Sequence, residues 1–527
     1  MTLLGMLSGE APAQFSFTNV TVDAQGPNEM HCKSTGDLNG DGFVDLIIAD
    51  RGGQLNWYDD RTNPGSWTRH VISTNDGGWS TDAEVADMDG DGDMDLVLSD
   101  WYGQNRMVYY RNNGGGASWS LVVIGAPRAH DIELADFDGD GDMDIVTREQ
   151  GTQGRRLRFW RQNSPTSWSQ TNYVIPSVPE GEGMQVGDLD GDGDADVALP
   201  SYWIENTGSF PFGFVEHRFT SQFATPNGIV AIGDMNGDGR TDIALTPSEA
   251  AGEFGDPTAW FEAPADPTQP NWTRRVVEAG IEHVTHSLQV GDLDGDGDLD
   301  VVTAEMHQGI DPDEVRLYRN NGGGQSFTKQ VIGTTGSHSV RLCDVGSDGD
   351  LDVFGANWEL DTRVEVWINN DSGGTGIQQF CDGQSGCPCN NPGSPGAGCA
   401  NSTGQGATLT YSGSASLSSD NLVLTASQLL PSNFALLFEG DATTQLPFGS
   451  GKRCVGGALL RYNLQVTGSG SVSWGPGLTS FAQANFPAMA QAMAGDTRYF
   501  QVFYRDVTSP CGLLTNLSAG LIITYAP

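Results

Sequence analysis

Seven stretches of the chain repeat one pattern of oxygen-bearing side chains, and their spacing sets the chemistry. The clearest runs Asp292-Leu293-Asp294-Gly295-Asp296-Gly297-Asp298-Leu299-Asp300. Side-chain oxygens fall at positions 1, 3, 5 and 9, position 7 offers its backbone carbonyl, and position 6 is glycine. The other copies are Asp37, Asn39, Asp41, Phe43 and Asp45; Asp87, Asp89, Asp91, Asp93 and Asp95; Asp136, Asp138, Asp140, Asp142 and Asp144; Asp188, Asp190, Asp192, Asp194 and Asp196; Asp234, Asn236, Asp238, Arg240 and Asp242; and Asp344, Asp348, Asp350 and Asp352. Carboxylates this crowded repel one another unless a cation intervenes. A hard cation such as Ca²⁺ takes 6 to 8 oxygens at about 2.3–2.6 Å, which a short loop with alternate inward carboxylates can supply. An EF-hand would need a glutamate at position 12, where Ile48, Leu98 and Thr147 stand. In the seventh copy Gly346 replaces the position-3 ligand, which weakens that site. No loop sets an open coordination position beside a base, so the expected role of up to seven Ca²⁺ is structural.

A second register lies six residues before each first aspartate: His31, Thr81, His130, Glu182, Gly228, His286 and His338. Thirteen residues after it stand Asp50, Asp100, Glu149, Ser201, Pro247, Glu305 and Asn357. If each loop closes a hairpin, the two slots meet at its far end, pairing His31 with Asp50, His130 with Glu149 and His286 with Glu305. Trp101, Tyr102, Tyr202, Trp203, His307 and Trp358 follow closely. Such a rim suits ligand binding, with rings on which a sugar stacks. His31, His130, His286 and His338 are also the candidates for proton transfer. A repeated cross-strand hydrogen bond that orders each repeat is the competing reading, and repetition favours it.

The loops recur 46 to 58 residues apart, the size of a four-stranded propeller blade. Each interval holds a short strand before the loop, a β-branched strand after it, an aromatic strand such as Val108 to Arg111, and a strand of the Trp67 to Ile72 type. The last repeat lacks this fourth strand, and Phe15 to Val22 is the segment expected to supply it, closing the ring and removing open edges. The predicted fold is all-β: a seven-bladed β-propeller followed by a small disulfide-rich β-sandwich.

These in-phase loops resemble the FG-GAP or VCBS repeats, whose relatives include the integrin α-subunit propellers. The resemblance covers about residues 15 to 370. It implies Ca²⁺ in the blade hairpins, with ligand roles on Asp37, Asn39, Asp41 and Asp45 and on their counterparts in the other loops.

Composition agrees. Of 527 residues, 71 are glycine and only 18% are charged, favouring short strands and tight turns. The net charge of −42 excludes nucleic acid and anionic lipid as partners. Thirty of the 68 acids lie in the loops, so bound calcium would neutralise a third of the excess charge. Six of eight cysteines, Cys381, Cys387, Cys389, Cys399, Cys454 and Cys511, crowd the last third. They read as disulfides in an oxidising compartment, with 15 possible pairings. A zinc site on Cys387 and Cys389 lacks nearby histidine and paired CxxC motifs. Cys32 and Cys343 read as buried thiols rather than a bridge. No apolar run reaches the length of a membrane span. Leu3 to Leu7 followed by Ala11-Pro12-Ala13 looks like the end of a signal peptide.

The expected organisation is therefore a signal-peptide remnant over 1–14, a propeller over 15–374 and a cysteine-rich module over 375–527. In the module, Leu422 to Ala426, Ala435 to Phe438, Leu460 to Val466 and Arg498 to Tyr504 read as strands and Phe486 to Ala494 as a short helix. No GxSxG, HExxH, P-loop or dinucleotide motif is present. The reading is a secreted or cell-surface, monomeric, calcium-binding adhesion protein for glycan or extracellular protein. The alternative is a carbohydrate-active enzyme, such as a polysaccharide lyase, using the histidine, acid and aromatic rim.

Overall fold

The computed structural model describes residues 15–525 except 28, 60–66, 75–78, 103–105, 128, 150–155, 176–180, 209–212, 226, 249–254, 280–283, 309–311, 347–348, 359–362, 371–376, 384–385, 395, 413–414, 416, 418–419, 487–490, 494–495 and 507–511. The signal-peptide segment, Asp348 and Cys511 lie outside the described residues, as do the side chains of Trp101 and Tyr102.

Seven four-stranded antiparallel sheets follow one another along the chain. The sixth blade shows the pattern. Thr285–Gly291 is innermost, then come Asp300–Glu305, Val315–Asn320 and Phe327–Gly333, each hydrogen-bonded to the next. The second strand, β-branched and apolar, is buried along its whole length because neighbouring blades cover both its faces. The outermost strand alternates toward solvent. The innermost strands touch around a closed circle, the seventh against the first. An apolar cluster fills each of the seven gaps between blades.

Ring closure follows the sequence expectation. The seventh sheet runs Ser339–Cys343, Asp352–Ala356, Val364–Asn369, and its outermost strand is the N-terminal Phe17–Asp23. Phe17 pairs with Asn369 and Val20 with Val366. Phe15 packs with Trp367 in the cluster between the sixth and seventh blades.

The chain forms two compact units, Met1–Ser347 with Leu351–Asp371, and Asp348–Asp350 with Ser372–Pro527. The second holds a β-sandwich. One layer orders Ile377–Phe380, Thr515–Thr524, Thr497–Arg505, Phe434–Gly440 and Leu460–Val466; the other orders Thr408–Ser412, Val423–Ser427 and Val472–Trp474. Leu409, Leu424 and Trp474 from one layer meet Leu437, Phe500 and Val502 from the other in the core. Disulfides join Cys381 to Cys454 and Cys387 to Cys399, and Cys389 is also disulfide-bonded. Cys32 and Cys343 are buried free thiols.

Of the expected helix over Phe486 to Ala494, residues 487–490 and 494 lie outside the described residues. A helix spans Leu478–Asn485, just before that segment, and Phe486 is extended, as the residue before Pro487 prefers. Its first turn is capped from a distance: Asp420 accepts the N–H groups of Thr479 at 2.7 Å and Ser480 at 2.9 Å. That long-range cap is invisible to local pattern.

Candidate functional site

The acidic loops sit in the hairpin between the two inner strands of each blade. The position-6 glycine takes a left-handed turn, as at Gly297 with φ 92°. This lets the position-1 carboxylate gather backbone donors: Asp37 accepts N–H groups of Gly40 at 2.7 Å and Gly42 at 2.9 Å. The position-9 aspartate is buried and staples the loop to the third strand. Asp95 accepts from Met88 at 3.0 Å and Asn112 at 2.7 Å, and Asp352 from Val345 and Asn369, both at 2.7 Å. The asparagine ending the third strand then reaches the preceding blade. Asn112 donates to the Leu38 carbonyl at 2.7 Å and Asn369 to that of Leu293 at 2.7 Å.

Carboxylate oxygens at positions 1, 3 and 9 converge within 4.8 Å of one another in four loops: Asp87, Asp89, Asp95; Asp136, Asp138, Asp144; Asp188, Asp190, Asp196; and Asp292, Asp294, Asp300. These clusters can hold a metal ion. In the first and fifth loops Asn39 and Asn236 occupy position 3. Position 5 stands outside the four clusters, and Asp91 and Asp140 pair with Arg111 at 3.1 Å and Arg161 at 2.8 Å. The donor set fits a hard cation on a further count: Asp138 Oδ1 and Asp292 Oδ1 are buried with no hydrogen-bond partner among the described residues. Burial, with the fields of Asp294 and Asp296, pushes the Asp300 carboxyl up to about 8; burial holds Asp45 at about 8 and Asp95, Asp144, Asp196 and Asp242 at about 7. A bound cation reverses this pressure toward neutrality.

At the other end of the innermost strands the structure departs from the expected histidine–carboxylate pairs. Met30, not His31, lies opposite Asp50, Ala129 opposite Glu149, and Thr285 opposite Glu305. The register shifts at each histidine, so His31, His130 and His286 are the extra residue of a β-bulge. The carboxylates turn to other partners: Glu149 to Arg158, Glu305 to Arg316, and Asp50 to the N–H of Gln54 at 2.7 Å. The histidines instead meet around the propeller axis. Ring centroids of His31 and His338 are 3.9 Å apart, and those of His286 and His338 4.2 Å. Glu182, fully buried, lies 3.2 Å from Nε2 of both His130 and His286. Burial alone would lower the His130 pKa, but Glu182 and Asp131 outweigh it and hold the ring at about 9. Glu182 in turn is held down at about 2, its burial overcome by His130 and His286. His31 and His338, buried beside other histidines, are held well below the ordinary range.

His130, Glu182, His286 and His338 line a cavity of about 260 Å³ that also meets Asp82, Glu84, Asp131, Glu133 and Arg341. Arg341 pairs with Asp82 at 3.3 Å and Glu84 at 3.6 Å. Burial raises Asp82 to about 6 and Glu84 to about 8. Sequence reasoning passed over these five residues. They occupy slots five and three residues before each loop, so period-2 alternation from the bulge could have found them.

The aromatic candidates separate. Trp203 is fully buried and stacks on His217 at 4.5 Å, and Tyr202 is buried beneath Arg218. Both belong to blade packing, because their strand lies inside the sheet. His307 and Trp358 are half-buried, edge-to-face at 5.0 Å, with Trp358 5.3 Å from His31.

Fold and loops together define a closed β-propeller with acidic hairpins, four of which bring together carboxylates that could hold a cation. The chain carries FG-GAP-like repeats, and that family matches residues 37–98, 87–147 and 292–355. No curated protein matches the sequence. Among solved structures, the chain is similar to BBS1N in complex with ARL6DN, at 12% identity over 69% of this chain and 99% of that one, with TM-score 0.44. It is also similar to Sqt1 of Saccharomyces cerevisiae (11%, 64% and 84%, 0.41) and the BP39L lectin of Burkholderia pseudomallei (16%, 66% and 97%, 0.48). Among the described residues no helix is long and apolar enough to cross a membrane.

Proposed function

We propose that this is a secreted or cell-surface binding protein. On this reading a Ca²⁺-loaded propeller over residues 15–374 presents the channel mouth opposite its metal loops to a glycan or an extracellular protein. The single observation that carries it is the half-exposed His307–Trp358 pair, which stands beside the polar, histidine-lined cavity. An indole with one face available, next to a ring of hydrogen-bonding groups, suits a sugar ring or a polar loop. Disulfides in the module over 375–527 support an oxidising compartment, with residues 1–14 as the remnant of an export signal. The convergent aspartates support calcium as the resident ion.

The channel weighs against a lyase of acidic polysaccharide. Among the described residues that line it, its one arginine, Arg341, is already paired to Asp82 and Glu84 and so is not free to meet a uronate. A glycan array probed with calcium and with chelator, read in parallel for unsaturated uronate product, tests the proposal. Calcium-dependent binding without product is expected. Product formation would overturn it.

A further inference from the structure

One position on the third strand sets the charge beside each convergent loop. It lies just before the residue whose backbone N–H the position-9 aspartate accepts, which is Asn112, Gln162, Asn206 and Asn320 in the second, third, fourth and sixth blades. In three of these blades the position is arginine, and each guanidinium straddles the aspartates at positions 3 and 5 of its own loop. Arg111 pairs with Asp89 and, at 3.1 Å, with Asp91; Arg161 pairs with Asp138 and, at 2.8 Å, with Asp140; Arg319 pairs with Asp294 at 2.6 Å and Asp296 at 3.5 Å. In the fourth blade the same position is Glu205, whose Oε2 lies 2.6 Å from His217 Nε2. Burial raises the Asp190 carboxyl of that loop, and the fields of Asp192 and Glu205 add to it.

The position-3 aspartate is one of the three whose oxygens converge, so each arginine holds part of the ligand set that a cation needs. An oxygen about 2.3–2.6 Å from Ca²⁺ with a guanidinium against it leaves the two positive charges roughly 5 Å apart. Even in the dielectric of bulk water, that repulsion amounts to about tenfold in affinity, and it grows where protein replaces water. The pairs themselves are weak, since the three arginines are 25–43% exposed, so an arriving ion can displace them. A partner that orients a ligand carboxylate ordinarily strengthens a metal site. Here the partner is a cation, and ligand charge count is what tunes Ca²⁺ affinity. The fourth blade sets six carboxylates and no arginine at loop and flank, whereas the second sets five carboxylates and one arginine.

We propose that Arg111, Arg161 and Arg319 are built-in counter-cations that Ca²⁺ must displace, and that the fourth loop, with Glu205 in their place, is the tightest calcium site of the propeller. The first, fifth and seventh loops carry one carboxylate fewer at position 3, where Asn39, Asn236 and Gly346 stand. The ring therefore fills in order, the fourth blade first, while the arginines partly neutralise three loops that are still empty. The inference rests on calcium as the resident ion, as proposed above, and assigns the side chains that rank its sites.

The test titrates the full chain, stripped of metal, with Ca²⁺ against a competing chelator at about pH 8, above the ordinary histidine range. One equivalent tighter than the rest is expected in wild type, and it should disappear in Asp190→Ala. Arg111→Gln should tighten one of the weaker equivalents at least about tenfold. Adding Asp89→Ala to that chain should remove the gain, which assigns it to the second loop. Glu205→Gln should weaken the tightest equivalent at least about threefold. Arg111→Gln and Glu205→Gln change partly exposed side chains, so they carry the test if Asp190→Ala fails to fold. Uniform affinities in wild type, an affinity unmoved or lowered in Arg111→Gln, or a tightest equivalent that survives Asp190→Ala would each overturn the ranking and leave the calcium reading standing. No calcium uptake by wild type would overturn both.

Discussion

Asn320 is tied to Asp300 through its backbone and to two backbone carbonyls through its side chain. The Asp300 carboxylate accepts the Asn320 backbone N–H at 2.8 Å, and the Asn320 side chain donates to Leu299 at 3.2 Å and across to Met235 of the neighbouring blade at 3.1 Å. Asp300 also takes the N–H of Leu293 at 3.1 Å. This aspartate therefore serves the fold whether or not an ion is bound, whereas among the described residues Asp294 is held only within its own loop and by Arg319, taking the Asp296 N–H at 3.3 Å and pairing with Arg319 at 2.6 Å.

The two carboxylates should separate by experiment. In chelator, Asp300→Ala leaves two buried N–H groups unsatisfied and should cost about 1–3 kcal/mol for each. Asp294→Ala in chelator loses chiefly its pair with Arg319 and should cost under about 1 kcal/mol. With calcium present, both should bind one ion fewer by calorimetric titration. Equal destabilisation in chelator would refute the division of roles.

Removing residues 15–22 takes away most of the strand that closes the seventh sheet. Val20 and Val22 pack into the cluster between the seventh and first blades. Each apolar side chain contributes about 1.5–3 kcal/mol when fully buried, so the deletion should lower stability by at least about 3 kcal/mol. Denaturant melts of the two forms decide it, and an unchanged midpoint would show that the ring is held shut without this strand.

Much of this architecture was legible because it repeats. The oxygen spacing, the turn glycine and the strand order recur in phase, so an error in one blade is corrected by six others. The end of the chain array, with a strand missing at one terminus and spare at the other, gave the closure. What failed was register: a single bulge residue turns His130 and His286 away from Glu149 and Glu305 and onto Glu182, and no local pattern marks a bulge. Tyr202 and Trp203 misled for a related reason, since aromatic character does not say whether a residue lies on an inner strand or at its open end. The cap that Asp420 supplies to the module helix comes from some 60 residues away in sequence.

Lys33 stands where the other blades carry Ala83, Ile132, Met184, Val230, Leu288 and Val340. It is fully buried, and among the described residues its ammonium reaches the carbonyls of Met30 at 3.2 Å and His31 at 3.4 Å. Burial lowers it to about 7, with Arg341 adding to the shift and Cys32 opposing it. A depressed lysine is protonated in the unfolded chain and not in the folded one between about pH 7 and 10.5, so stability from this group rises with pH across that window and the full penalty applies below it. Lys33→Met should stabilise by about 1–3 kcal/mol at pH 6. The gain over wild type should shrink as pH rises to 10. A gain that is flat with pH would mean that Lys33 is not the titrating group.

Reduction should act on one unit only. Cys381–Cys454 spans 73 residues, and closing a loop of that size constrains the unfolded chain by about 3–5 kcal/mol. Among the described residues the propeller holds only free thiols, Cys32 and Cys343. Scanning calorimetry with reductant should therefore move the module's transition down and leave the calcium-sensitive one in place. A matching fall in both would imply that the propeller's stability depends on the module.

The two tryptophans on which the sequence placed equal weight should now behave differently. Trp203 has no exposed surface and is stacked on His217, so Trp203→Ala opens a large cavity and should cost about 3–5 kcal/mol of stability. Trp358 is partly exposed and meets the channel histidines edge-to-face rather than stacked, so Trp358→Ala should leave the melting temperature within a few degrees of wild type. If the channel mouth receives the ligand, Trp358→Ala and His307→Ala should each weaken binding at least about tenfold, the scale of a lost interfacial aromatic. Binding measured on an array-identified ligand, beside melts of the same preparations, gives both readouts. Loss of binding in Trp358→Ala with a preserved melt supports the mouth as the site, and full binding would move the search to another face.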